Sequence, residues 1–319
     1  MLKLALVTGL NEYEDSSISR LRGCVNDSLL ITALLKKAGF RVTTLNDYQA
    51  TQRKILNSLR NSIVRLINSP EEGYLVYWNS SHGYQVRDWD GDEWEDGKDE
   101  AICTYDTDPS DPLIDDKFAD LFSMITPNVK VFFGSDSCHS ESLHRKKDDL
   151  ADLMTAQREI IKKKFDTIQE ESINAKLWIP PEKFLETRKP FNLTDYLKDI
   201  RIGAKSELDK ARRLFEYDPR GDKNLLFASA CESDEVSWDS YINEVNRHHG
   251  IFSYCFAITV LDAWNEGNPI TYKGVISKAK KMIHDHEFED QNPTIEGKKE
   301  MRDEPVFGYA PEETIMAEH

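Results

Sequence analysis

The sequence predicts an α/β fold, a mostly parallel sheet with helices on both faces. Two observations predict it. Continuous apolar runs that read as fully buried strands recur along the chain, among them GYLVYW at Gly73–Trp78 and VKVFFG at Val129–Gly134. Between them lie segments whose apolar residues repeat at helical spacing. A strand with no polar side needs cover on both faces, and helices that alternate with such strands supply it.

The elements follow in order. Leu2–Val7 is a short apolar strand, read as the start of the sheet and not as a signal peptide, since no small-residue cleavage site follows it. Cys24–Gly39 carries Val25, Leu29, Leu30, Leu34 and Leu35 at helical spacing and stops at a glycine. Arg41–Leu45 is β-branched and reads as a strand, and Gln52–Ile67 is an amphipathic helix. Leu113–Ile125 is expected to be helical. Asn224–Ser229 is a further strand, Gly250–Asn265 and Thr271–Asp285 are helices, and Pro305–Tyr309 is expected to add an edge strand. The stretch from Leu143 to Lys223 differs in character. It is rich in Lys, Glu and Asp, has helical periodicity near Leu150–Ile173 and Ser206–Phe215, and offers no good strand. The expected organisation is one domain over 1–319, with a first part at 1–142, a helical insertion at 143–223 and a last part at 224–319.

Composition narrows the function. The 319 residues are 39% apolar and 31% charged, a globular composition that excludes a fully disordered chain. No apolar run approaches the roughly 18 residues that span a bilayer, so no membrane partner is expected. The five cysteines show no C-x-x-C pair, which argues against a disulfide framework and places the chain in a reducing cytoplasm. The net charge is −16, and thirteen acidic residues against one lysine lie between Asp88 and Asp116. That density disfavours nucleic acid and points to a hard cation or to basic partners.

Ligands of open α/β sheets bind beyond the carboxyl ends of the strands. Two such ends carry chemistry: Asn79-Ser80-Ser81-His82-Gly83 and Ser135-Asp136-Ser137-Cys138-His139-Ser140. On neighbouring strands, His82 and Cys138 meet as a base and a nucleophile. His139 competes for the base. Adjacent side chains at a strand end diverge, however, so the partner of Cys138 is expected from another strand. Gly83 lets the backbone approach a carbonyl, and the N–H groups of Gly83 and Cys138 are candidate oxyanion donors. A buried cysteine acting only as a small hydrophobe, and a His-Gly turn, are the alternatives.

The motifs resemble a known family. SSHGYQVRDWDGDEWEDGKDEAICTYD is similar to the His motif of metacaspases and related caspase-like cysteine peptidases, and SDSCHSES to their Cys motif. LRGCVND, LLFASACESDEVSWD and QNPTIEG resemble three further family segments in the family's order. The resemblance implies a caspase-like fold with a six-stranded, mostly parallel sheet. It also implies peptide-bond hydrolysis through a thioester at His82 and Cys138, without an organic cofactor. By motif position Asp27 and Asp136 map onto the pocket carboxylates of the metacaspase branch and Ser80 onto the hydroxyl beside them, implying protein substrates cut after Arg, with Lys second. Arg22 could instead make the pocket suit an acidic residue, and Asp27 could simply cap its helix or pair with Arg22. Ca²⁺ activation is implied through Asp99, Asp115 and Asp116, while Leu143-His144-Arg145 stand where a further Asp is usual and Glu141 stands where glycine is.

The long insertion is similar to the type II metacaspase linker. Arg145-Lys146-Lys147, Lys162-Lys163-Lys164 and Arg220-Gly221 are its candidate self-cutting sites. A monomer acting in cell death or defence is the expectation from the resemblance. A caspase-fold interaction protein without catalysis is the competing reading.

Overall fold

The computed structural model describes residues 1–87, 98–138, 147–164, 173–180, 224–232 and 235–309. Its centre is a six-stranded sheet in the order β12-β9-β7-β3-β1-β2. β1 (Leu2–Gly9), β2 (Arg41–Asn46), β3 (Gly73–Ser80), β7 (Val129–Asp136) and β9 (Leu225–Ser229) are mutually parallel, and β12 (Thr294–Gly297) joins β9 antiparallel. This is the predicted fold class, and strands from both sides of the insertion share the sheet.

The continuous apolar runs are explained by cover on both faces. On one face Ala5, Val7, Val76, Trp78, Phe132 and Ala228 pack with α1 (Cys24–Lys37), α5 (Ile251–Asn265) and α6 (Tyr272–Asp285). On the other, Leu4, Leu6, Leu75, Tyr77, Val131 and Phe133 pack with α2 (Gln52–Ile67) and α3 (Asp115–Ser123). Trp78 anchors the first face. Its indole stacks on Phe252, meets Phe256 and donates to Ser253 Oγ at 3.1 Å, tying β3 to α5.

Two small sheets flank the edge that carries the strand ends. One is β4 (Gly83–Arg87), β5 (Lys98–Ile102) and β6 (Leu113–Ile114), and the other is β11 (Arg247–Gly250), β10 (Trp238–Ile242) and β8 (Ile173–Ala175). Helix α4 (Lys147–Lys164) opens the insertion, and α7 (Lys299–Arg302) follows β12. Among the described residues, no helix is long and apolar enough to cross a membrane.

Three expectations are corrected. Leu113–Ile125 is not helical throughout: Leu113 and Ile114 pair with Ile102 and Ala101 before the helix starts at Asp115. Pro305–Tyr309 holds a 3₁₀ turn at Val306–Gly308, not a strand; Phe307 has φ 57° and its ring packs beside Phe40 and Phe132. The edge strand is Thr294–Gly297 instead. The insertion, expected to lack strands, contributes β8, which pairs with β10 antiparallel. Three residues are too few to show a period, and their ladder partner lies over 60 positions away. The expected helix at Ser206–Phe215 lies outside the described residues.

Gly134 sits where β7 passes under Trp78, and a Cβ there would overlap the indole ring. Gly134→Ala is therefore expected to lower unfolding stability by about 1–3 kcal/mol, read as a lower urea midpoint at unchanged slope.

Candidate active site

A parallel ladder holds neighbouring strands in step, so equal overruns end side by side. Ser80 on β3 is in register with Asp136 on β7. His82 and Cys138 each lie two residues further on, at the carboxyl edge where the sequence placed them. Both are buried.

The imidazole is held from behind. His82 Nε2 lies 2.8 Å from the carbonyl oxygen of Ser19, with Ser19 Oγ at 3.3 Å. A carbonyl only accepts, so Nε2 carries the proton and Nδ1 is the basic nitrogen. Nδ1 is buried and has no hydrogen-bond partner among the described residues. Burial lowers the His82 pKa to about 4, against the partial support of the Ser19 carbonyl, so the ring is neutral at pH 7.

The thiol of Cys138 is engaged by the last part of the chain. Its Sγ accepts the N–H of Ser237 and faces the Ser237 carbonyl at 3.5 Å. The neighbouring thiol of Cys138, together with burial, pushes the Cys231 pKa up.

A peptide of the chain itself lies across this site. The carbonyl oxygen of Lys176 accepts the N–H groups of Gly83 at 2.9 Å and Cys138 at 3.3 Å. These are the two donors picked out from the sequence, converging on one carbonyl. On the amino-terminal side, β8 lies antiparallel to β10, with Ala175 opposite Trp238 and Asn174 opposite Asp239. On the carboxyl side, Leu177 bridges Gly83 and the N–H of Trp178 donates to the Gly83 carbonyl at 2.9 Å. The segment is extended, with backbone hydrogen bonds on both sides of the Lys176–Leu177 bond.

The side chain of Lys176 runs into a closed, charged pocket. Nζ lies 2.8 Å from Ser80 Oγ, 3.0 Å from Asp136 Oδ1, 3.4 Å from Asp27 Oδ2 and 3.2 Å from the Asp136 carbonyl. Lysine and both carboxylates have no solvent-exposed side-chain surface. Burial alone would lower the Lys176 pKa. Asp136, Asp27 and Asp239 outweigh it and raise the pKa above the ordinary lysine value, so the ammonium stays charged.

The carboxylates have fixed orientations. Asp27 takes the N–H of Gly250, the ring of His249 at Nδ1 (2.9 Å) and the hydroxyl of Ser80 (2.7 Å). Asp136 takes the Ser237 hydroxyl at 2.6 Å and the Ser253 N–H at 2.8 Å. Gly250 and Ser253 open helix α5, so its positive end faces the two acids. A Cβ on Gly250 would overlap Lys176 Nζ and Asp136 Oδ2, and glycine there keeps the pocket open to a long cation. Asp27 does not cap its own helix. Arg22 is exposed on the loop before α1, and its backbone N–H donates to Asp239 at 2.6 Å.

Ser19, Lys176, Ser237, Asp239 and Gly250 were not singled out from the sequence. Lys176 had one local signal, the apolar island Leu177-Trp178-Ile179 inside a polar stretch. The backbones of Asp99 and of Asp115-Asp116 approach each other, because β5 pairs with β6 and β6 runs directly into α3. No cluster of metal-binding side chains occurs among the described residues. His139, Glu141 and Leu143-His144-Arg145 lie outside the described residues.

Two N–H donors converge on one peptide carbonyl, and a thiol and an imidazole stand at the same edge of the sheet; these are the groups that acyl transfer to sulfur requires. The comparisons agree with that class. The caspase-domain family model matches residues 2–303, and the chain belongs to this family. Metacaspase-1 of Candida glabrata is 34% identical over 146 residues, covering 43% of this chain and 36% of that protein. Metacaspase-4 of Arabidopsis thaliana is 32% identical over 149 residues, covering 45% of this chain and 34% of that protein. The chain thus spans about a third of the length of these curated relatives. A crystal structure of a Geobacter sulfurreducens protein shares the fold with a TM-score of 0.60 at 19% identity, covering 97% of this chain and all of that one.

Two outcomes are expected. Lys176→Ala leaves two buried carboxylates without their cation and is expected to lower stability by about 3–5 kcal/mol in chemical denaturation. His82 has a folded pKa of about 4, below its unfolded value near 6.5. The unfolded chain therefore takes up the proton first as pH falls, and the His82 contribution is present above pH 6.5 and lost between 6.5 and 4. His82→Gln is expected to flatten the pH dependence of stability in that window, by on the order of 3 kcal/mol in all.

Proposed function

We propose that this protein is a cysteine endopeptidase that cuts after basic residues, with its own Lys176–Leu177 bond as one substrate. The observation that carries the reading is the seating of Lys176: its ammonium against Asp27, Asp136 and Ser80, and its carbonyl against the N–H groups of Gly83 and Cys138.

In this reading His82 Nδ1 takes the proton of the Cys138 thiol, and the thiolate adds to the Lys176 carbonyl carbon. The negative charge that forms on the carbonyl oxygen is stabilised by the N–H groups of Gly83 and Cys138. Collapse expels the amine of Leu177, protonated by His82, and leaves a thioester on Cys138. Water, deprotonated by His82, then releases the Lys176 carboxylate and restores the thiol. The Ser19 carbonyl keeps Nε2 protonated and the reacting nitrogen pointed inward. The Ser237 N–H, which donates to the sulfur, would stabilise the thiolate at some cost in nucleophilicity.

The pocket suits either basic side chain. Two carboxylates and a hydroxyl hold an ammonium here, and the paired acids also match the donor fork of a guanidinium. The other basic runs of the insertion are less favourable or unplaced. Lys162-Lys163-Lys164 closes helix α4, whereas a scissile segment must be extended. Arg145-Lys146 and Arg220-Gly221 lie outside the described residues.

Calcium belongs to the same proposal. Asp99, Asp115 and Asp116 would hold it, their carboxylates being the oxygen donors Ca²⁺ prefers. A bound ion would neutralise acidic repulsion beside β4, the strand that begins at the oxyanion donor Gly83.

The test is intact-mass measurement of the chain with Ca²⁺ and with chelator. Fragments 1–176 and 177–319 are expected with Ca²⁺, and none from Cys138→Ala. Fluorogenic peptides ending in Lys or Arg are expected to turn over, and Asp136→Asn to lower kcat/KM by at least about 100-fold. An uncut, fully active chain would remove self-cutting from the proposal. Absence of turnover on every peptide would leave an interaction protein.

A further inference from the structure

We infer that the face of β4, β5 and β6 forms a specificity pocket for an aromatic side chain, two residues past the scissile bond of a substrate. The inference rests on the peptidase reading and adds to it a determinant on the leaving-group side.

Trp178 is the second residue after the Lys176–Leu177 bond. It is 6% exposed and packs with Ile18, Tyr84, Val86, Ala101, Cys103 and Ile114. Strand geometry explains the pocket. Side chains two apart share a face, so Tyr84 and Val86 on β4, Ala101 on β5 and Cys103 just past its end line one face, and Ile114 on β6, opposite Ala101, closes the patch. Ala101 and Cys103 are small, which leaves room for a bicyclic ring. Tyr84 meets the indole edge-on, with ring centroids 5.2 Å apart and planes at 70°, the arrangement aromatic pairs favour over a flat sandwich.

Backbone contacts put any bound peptide in this register. Gly83 gives its N–H to the Lys176 carbonyl and accepts the N–H of Trp178 with its own carbonyl. One residue thus sets both the reacting carbonyl and the residue two places beyond it. A peptide whose carbonyl sits between Gly83 and Cys138 must deliver its second leaving-side residue to the same patch. Leu177, in between, turns to the main core.

The lining belongs to the body of the enzyme. None of the six residues falls within 143–223, so cutting after Lys176 leaves the pocket built. Trp178 then sits second from a new amino terminus, no longer joined to the buried lysine. A substrate with Trp, Phe or Tyr in that position competes for the vacated surface, and one with Asp or Gly does not fill it.

The experiment uses the full chain after self-cutting and internally quenched peptides of the form Ile-Asn-Ala-Lys-Leu-X-Ile-Pro, with X as Trp, Phe, Ala or Asp. A second substrate carries a fluorophore directly after lysine and has no leaving-side peptide. Trp and Phe are expected to exceed Ala by at least about tenfold in kcat/KM, with Asp lowest. Ile18→Ala, on a loop outside the sheet, is expected to narrow the Trp-to-Ala ratio. Equal rates for all four X, with the fluorophore substrate turning over, overturn the pocket alone. No turnover of any substrate overturns the peptidase reading and this inference with it.

Discussion

An ammonium ion removed completely from water is strongly disfavoured unless fixed negative charge replaces its hydration. Lys176 meets that condition because four separate parts of the chain deliver groups to one point. Asp27 comes from α1, Ser80 from the end of β3, Asp136 from the end of β7, and Asp239 from β10 adds its field. The dependence is mutual. Two buried carboxylates that close would repel each other without the cation, and the cation would lose its proton without them. The helix α5 amides at Gly250 and Ser253 hold the acids in place. This cluster is therefore where the first part of the chain, the insertion and the last part become one structure.

The same cluster sets the position of the reacting groups. With the lysine side chain held at its tip, its carbonyl lies between the N–H groups of Gly83 and Cys138. In the proposed mechanism the protein holds a substrate-like segment in a reactive register while Ser237 restrains the sulfur. In that proposal a peptide from another protein would have to displace the segment or wait for it to be cut. The insertion would then be both the first substrate and the barrier to later ones, and the backbone pairing with β10 would serve each in turn.

Much of the central sheet was legible in the amino acids. Buried parallel strands announce themselves as unbroken apolar runs, so GYLVYW and VKVFFG were visible, and Gln52–Ile67 had a clear helical period. The peripheral strands were not. Trp238–Ile242 and Arg247–Gly250 mix polar and apolar residues because one side serves the site. Leu113–Ile114 and Ile173–Ala175 are too short for any period. Phe307 reads as part of a strand until its left-handed backbone and core-packed ring are seen.

The acids that could receive a basic side chain came only from the resemblance of the motifs to metacaspases; by itself the sequence determined the order of the main strands and helices and the two chemical strand ends. Local pattern and residue type suffice for these, since each depends on neighbours within a few positions. The tertiary structure decided what fills the pocket and how the base is held. Lys176 is one of several insertion lysines, set apart only by the apolar residues that follow it, and Ser19 acts through a backbone carbonyl that every residue has. Their roles come from contacts between residues 38 to 149 positions apart, and only the folded chain brings such partners together.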